Sequence, residues 1–155
     1  MRKGISLLEM ITVLAIIGII VAVVAPKASQ FLPGIQLSGS ARTLVSNLRE
    51  AQERAVTEQN QHLIRFFPEA IPPNYQLIRI YYSVEELPIE ELIKQVDLPN
   101  GQTITIDETF FDEVTASYQV IFSADGGPSA SGNIILSNGS SQKIINVSPA
   151  GYIKI

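Results

Sequence analysis

Few residues of this 155-residue chain could do chemistry, and the most conspicuous of them, Glu9, stands where a charge is least expected. It is the only charged residue in an apolar run of 21 residues, 5–25. A carboxylate among lipid tails or packed apolar helices costs at least about 2.5–3.5 kcal/mol even on lenient insertion scales. Its presence therefore asks for a function, such as a cationic partner that neutralises it. Arg2 and Lys3, directly before the run, supply two positive charges at its edge.

Elsewhere the inventory for catalysis is thin. There are no cysteines, which excludes a thiol nucleophile, a disulfide framework and a Cys-ligated metal. The one histidine, His62, opens a candidate strand right after a helix and reads as a surface or junction residue rather than a general base. The acid pairs Glu85/Glu86, Glu90/Glu91, Asp107/Glu108 and Asp112/Glu113 have the composition of acid/base dyads. Adjacent residues on a strand point to opposite faces, so these pairs need not converge. No phosphate-binding glycine loop precedes a helix, and no zinc-type ligand spacing occurs. The expectation is a protein that is not an enzyme, with no catalytic residue, no metal and no cofactor.

Charge narrows the partners. From Lys27 onward there are 9 Lys and Arg against 14 Asp and Glu, and nine of those acids lie between Glu85 and Glu113 with Lys94 as the only base among them. Phosphate backbones require a positive face, so nucleic acid is disfavoured. The acidic stretch reads first as a solvated face. An acidic docking surface and a weak Ca²⁺ site, built from oxygen ligands, are its alternatives.

The element that must carry Glu9 is a helix. About 20 apolar residues span a hydrocarbon core, and the basic start places residues 2–3 on the cytoplasmic side with the rest of the chain outside. A secretory signal peptide is the competing interpretation, with residues 22–25 imitating a small-residue cleavage site. It leaves Glu9 without a purpose.

Gly4-Ile5-Ser6-Leu7-Leu8-Glu9, the apolar residues that follow and Pro26 resemble the class III signal of type IV prepilins and type II secretion pseudopilins. The resemblance implies cleavage by a prepilin peptidase between Gly4 and Ile5, N-methylation of Ile5, and retention of Glu9 for assembly and axial register. It implies a helix bend at Pro26. Ile5 stands where the family usually has Phe. Physically, a new N-terminal ammonium on a neighbouring subunit can neutralise the carboxylate, so Glu9 would favour assembled over isolated subunits.

Beyond Pro26, Pro33-Gly34 predicts an interruption, with the helix restarting near Ser38 or Ser40 as cap. Leu37, Ala41, Leu44, Val45, Leu48, Ala51, Ala55 and Val56 then recur at three- and four-residue steps, an apolar stripe suited to packing on a sheet. After Asn60 the pattern changes. Strands are expected at 62–67, 75–83, 102–107, 118–123, 133–136, 143–147 and 152–155, separated by Gly, Pro and Asn turns. Residues 84–96 are ambiguous, with a short helix conceivable over 89–93.

The order of elements, the segment from Leu44 to Val56 and the closing Ile144-Ile145-Asn146-Val147-Ser148-Pro149-Ala150-Gly151-Tyr152-Ile153 resemble H-type minor pseudopilins and FimT-like minor pilins, with Tyr152 where arginine is common. The expected fold is α+β: a long N-terminal helix, transmembrane then amphipathic, packed on an antiparallel β-sheet domain. The expected organisation is a leader over 1–4, a transmembrane and assembly helix over 5–26, a linker and amphipathic helix over 27–60, and a β-rich domain over 61–155. The expected function is a minor pilin or pseudopilin, a structural subunit of a type IV pilus or a type II secretion pseudopilus. Its expected site is the bacterial inner membrane, single-pass with the C-terminal domain extracytoplasmic. Its partners would be other pilin or pseudopilin subunits, the prepilin peptidase, the inner-membrane assembly platform and membrane lipid. A DNA-binding minor pilin and an exported soluble protein remain the alternatives.

Overall fold

The structure, a computed structural model, describes residues 7–82 and 88–155, and of residues 23–31 the backbone alone. Leader residues 1–4, the expected cut between Gly4 and Ile5, and the pair Glu85/Glu86 lie outside the described residues. The chain forms two units, residues 1–35 and 36–155.

A single helix, α1, runs over Leu7–Glu58. The interruption expected at Pro33-Gly34, with a fresh cap at Ser38 or Ser40, does not occur: the helix continues through Pro26, Pro33 and Gly34. A proline deletes one backbone hydrogen bond and crowds the preceding turn, costing about 3 kcal/mol. Helix formation is cooperative, with an unfavourable nucleus, so tolerating one defect competes well with ending one helix and starting another.

In the first unit every described side chain over residues 7–22 is exposed. Among the described residues no helix is long and apolar enough to cross a membrane. The expectation of a span over residues 5–25 is therefore not met by them. Side chains are described for only part of that run, which falls short of the about 20 residues a bilayer core requires.

In the second unit the stripe is buried. Leu37, Ala41, Leu44, Val45, Leu48, Ala51 and Ala55 form one core with the sheets. Val56, expected among them, is 44% exposed. One residue beyond Ala55 it lies about 100° further round the axis and leaves the stripe. At the helix end, amide side chains satisfy terminal carbonyls: Gln59 Nε2 donates to Val56 O at 2.6 Å and Asn60 Nδ2 to Glu58 O at 2.9 Å.

Among the described residues nine strands follow: β1 Gln61–Phe67, β2 Asn74–Tyr82, β3 Pro88–Asp97, β4 Thr103–Ile106, β5 Phe111–Asp112, β6 Ser117–Phe122, β7 Gly132–Ser137, β8 Gln142–Val147 and β9 Ile153–Lys154, with a 3₁₀ turn over Glu108–Phe110. They build two antiparallel sheets, β3-β2-β1-β6-β5 and β4-β7-β8-β9. Alternation places Ile64, Phe66, Tyr75, Leu77, Val120 and Phe122 of the first sheet in the helix-facing core, and Ile104, Ile134, Leu136, Ile145, Val147 and Ile153 of the second. All seven expected strands form, each within a residue of its expected ends.

Residues 88–97 correct the conceivable helix. Ile89, Leu92, Ile93 and Val96 have helical spacing, yet the segment is strand β3, paired with β2 along its length. Lys94 pairs with Leu77 and Leu92 with Ile78, so the register shifts at Ile93. That extra residue breaks the two-residue period and disguises the strand as a helix.

Candidate functional site

Glu9 occupies the first turn of α1, where a negative charge suits the helix dipole. It is exposed, with no hydrogen bond or ion pair to another described residue. Around it Leu7, Leu8, Met10, Ile11 and Leu14 are between 56% and 79% exposed. Thr12 turns its hydroxyl inward, donating to the Leu8 carbonyl at 2.8 Å. The result is a helix surface apolar on all sides with one carboxylate. Such a surface is buried favourably against other apolar surface, where the carboxylate is neutralised by a cation or by taking up a proton. Gly4 and Ile5, expected at the cut, lie outside the described residues, and Pro26 lies within α1.

The second unit is held to its helix by polar side chains among the apolar ones. Asn47, 3% exposed, donates through Nδ2 to the Tyr75 hydroxyl at 2.8 Å and accepts at Oδ1 from Lys94 Nζ at 3.0 Å. Burial pushes the Tyr75 hydroxyl up to about 12, against the opposing pull of Asn47. Gln52 Nε2 bridges the Gly126 and Gly151 carbonyls at 2.8 and 3.2 Å. Gly151 has φ +78°, and a Cβ there would lie 2.6 Å from Gln52 Nε2, so the closing turn requires glycine. Arg49 Nη2 donates to Ile153 O at 3.0 Å and ties down β9.

At the end of α1, Glu58 gathers three cationic or titratable groups. Arg54 Nη1 lies 3.3 Å from Oε1, and Arg79 Nη1 and His62 Nε2 lie 3.1 and 3.4 Å from Oε2. The Arg79 hydrogen bond, foremost, holds the Glu58 carboxyl below the usual carboxylate range. His62 is fully buried, which corrects the surface alternative and leaves the junction role. With its ring walled in between Glu58 and the Asn60 carbonyl, it is closed to a substrate. Among the described residues no three His, Asp or Glu are grouped to hold a metal.

The acid pair Glu90/Glu91 behaves as strand alternation requires. Glu90 meets Arg65 at 2.6 Å and Glu91 meets Arg79 at 2.9 Å, on opposite faces of β3. They are structural ion pairs and do not converge.

The sequence profile of the type II transport protein GspH family matches residues 40–151, from the amphipathic part of α1 to the closing glycine. The chain belongs to this family. The GspH match begins after the exposed apolar part of α1 and covers the helix-and-sheets unit described above. Among solved structures, the type IV minor pilin FimU of Pseudomonas aeruginosa is similar at a TM-score of 0.59 and 16% identity, over 81% of this chain and 91% of that one. The minor pseudopilin EpsH from the type 2 secretion system of Vibrio cholerae is similar at a TM-score of 0.59 and 11% identity, over 77% of this chain and 94% of that one. Identities this low speak for the shared fold. A search of curated protein sequences finds no match. The polar residues of this GspH-family fold, Asn47, Gln52 and Tyr75, were not legible as a set. Only the small residues Ala51 and Ala55 beside Gln52, and Gly126 and Gly151 opposite it, hint at close approach.

Proposed function

We propose that the chain is a minor pilin or pseudopilin, a structural subunit of a type IV pilus or a type II secretion pseudopilus. The observation that carries this reading is the pairing of a GspH-family globular unit with a helix whose side chains over residues 7–22 are all exposed and apolar but for Glu9 and Thr12. A prepilin peptidase cuts between Gly4 and Ile5, and Ile5 is methylated. Residues 5–25 hold the subunit in the inner-membrane lipid until the assembly platform passes it into the filament. There the same apolar surface packs on neighbouring subunits, and the Glu9 carboxylate meets an N-terminal ammonium. Pro26 supplies a bend after the buried part. The β-sheet unit faces outward.

Mass spectrometry of sheared filaments tests this. Trace amounts of the chain relative to the main subunit, with an N-terminal peptide starting at methylated Ile5, are expected. A mature end near Lys27, or absence of the chain from filaments, sinks the reading.

A further inference from the structure

The described acids of the 85–113 stretch sort into two groups. Glu90 and Glu91 are paired with arginines, and Asp97 accepts from Gln95 at 3.0 Å. Asp107 accepts from the Asn133 amide at 2.7 Å, and Asp112 accepts from the Val114 amide, Thr115 and Gln119. Glu108 and Glu113 are exposed, with no side-chain hydrogen bond or ion pair among the described residues. These two line a surface pocket of about 390 Å³ whose remaining walls are Phe111 and Tyr118.

The backbone builds this arrangement. Phe111 of β5 pairs with Tyr118 of β6, setting the rings edge to face with centroids 5.2 Å apart. The 3₁₀ turn supplies Glu108 to the pocket, and the β5–β6 turn, tied by Asp112, supplies Glu113. Phe111 remains 45% exposed although an aromatic ring gains by burial, and Val114 at the turn tip is 93% exposed.

Two open carboxylates beside exposed ring surface suit a cation with an apolar stem: the stem packs on Phe111, and the charge meets carboxylates and ring face together. An anion is repelled, and a hard metal ion finds two carboxylates where it takes six or more oxygens. We propose that this pocket docks a lysine or arginine side chain of a neighbouring, different subunit, with Val114 adding an apolar contact at the rim. This rests on the filament-subunit reading for who the neighbour is, and on charge complementarity for what it presents.

The test is an NMR titration of the full chain in detergent with the tripeptides acetyl-Gly-Lys-Gly-amide and acetyl-Gly-Arg-Gly-amide, and acetyl-Gly-Gln-Gly-amide as control. The Phe111 and Tyr118 ring signals should move with at least one of the two cationic peptides and stay still with the neutral one. Affinity should fall at least about fivefold in E108Q/E113Q and at high salt. Unchanged thermal melting of that exposed double variant establishes that its fold is intact. Equal response to the glutamine peptide, or none to either cationic one, overturns the proposal. So does a peptide-free, concentration-dependent self-association lost in E108Q/E113Q, which assigns the pocket to a second copy. The titration is independent of assembly: absence from filaments sinks the proposed function and leaves the pocket's chemistry standing.

Discussion

Two stretches of the same helix treat their apolar residues in opposite ways. Over residues 7–22 the large apolar side chains are 49–79% exposed, whereas from Leu37 to Ala55 the stripe is at most 7% exposed. Their composition foretells this. The second stretch is apolar on one side and polar on the other, so a single chain can cover it with its own sheets. The first is apolar all round, and its described side chains are all exposed. One stretch is covered by folding, and on the proposed function the other is covered by a partner.

Breaking the second stretch should have the largest effect. Leu48→Ala empties a fully buried position beneath both sheets and should cost about 2–5 kcal/mol, read from denaturant melts of the full chain in detergent. If Leu14→Ala, 64% exposed in the first stretch, destabilised the fold as much, the division between the stretches would be wrong. Glu9→Leu should do the reverse. On the proposed function it should leave melting unchanged yet strand a neighbour's ammonium in an apolar setting, a loss of about 3 kcal/mol or roughly a hundredfold in filament incorporation. Normal incorporation in sheared filaments would refute the pairing role.

Sequence pattern revealed most of the fold where its period survives. The stripe kept its three- and four-residue steps, and the seven expected strands kept their alternation and turn residues, because burial on one face writes the period directly. It failed where one local feature imitates another. The bulge at Ile93 gave β3 a helical spacing, and Pro33-Gly34 looked like a stop although the flanking turns carry the helix across. The expected cleavage and assembly site rests on a motif alone: Gly4, Ile5 and Glu9 stand out by offset, and Gly4 and Ile5 lie outside the described residues. Partnership between distant polar groups leaves no periodic trace. Nothing near Asn47 announces Tyr75 or Lys94, and nothing in the sequence separates the paired from the open ones among the described acids of the 85–113 stretch.

Asn47 therefore offers a sharper probe of the folded stretch. Asn47→Ala strands the buried Tyr75 hydroxyl without its donor and frees Lys94, at an expected cost of about 1–2 kcal/mol in the same melts. Tyr75→Phe on that background should recover part of the loss, since it removes the stranded group, and a double-mutant cycle measures the coupling. Purely additive losses would mean that the bond seen at 2.8 Å contributes nothing to stability.

The smallest effect expected lies at the far end of α1, and it depends on pH. The Glu58 carboxyl sits below its ordinary range, first because Arg79 donates to it, with His62 and Arg54 adding to the effect against the cost of burial. A carboxyl depressed in the folded state stabilises the fold at pH values above its unfolded range. That contribution is lost as the pH falls through the folded value and the group takes up a proton. Wild type should thus lose stability on acidification faster than Glu58→Gln, and the two melting curves should converge on the acid side. The gap at neutral pH should be small and shrink with added salt, because the side chain is 27% exposed and its partner Arg79 is 35% exposed. Parallel curves across the acid range would show that the helix end is held by Gln59 and Asn60 alone, and that its ion pairs are ornaments of a junction that the buried stripe already fixes.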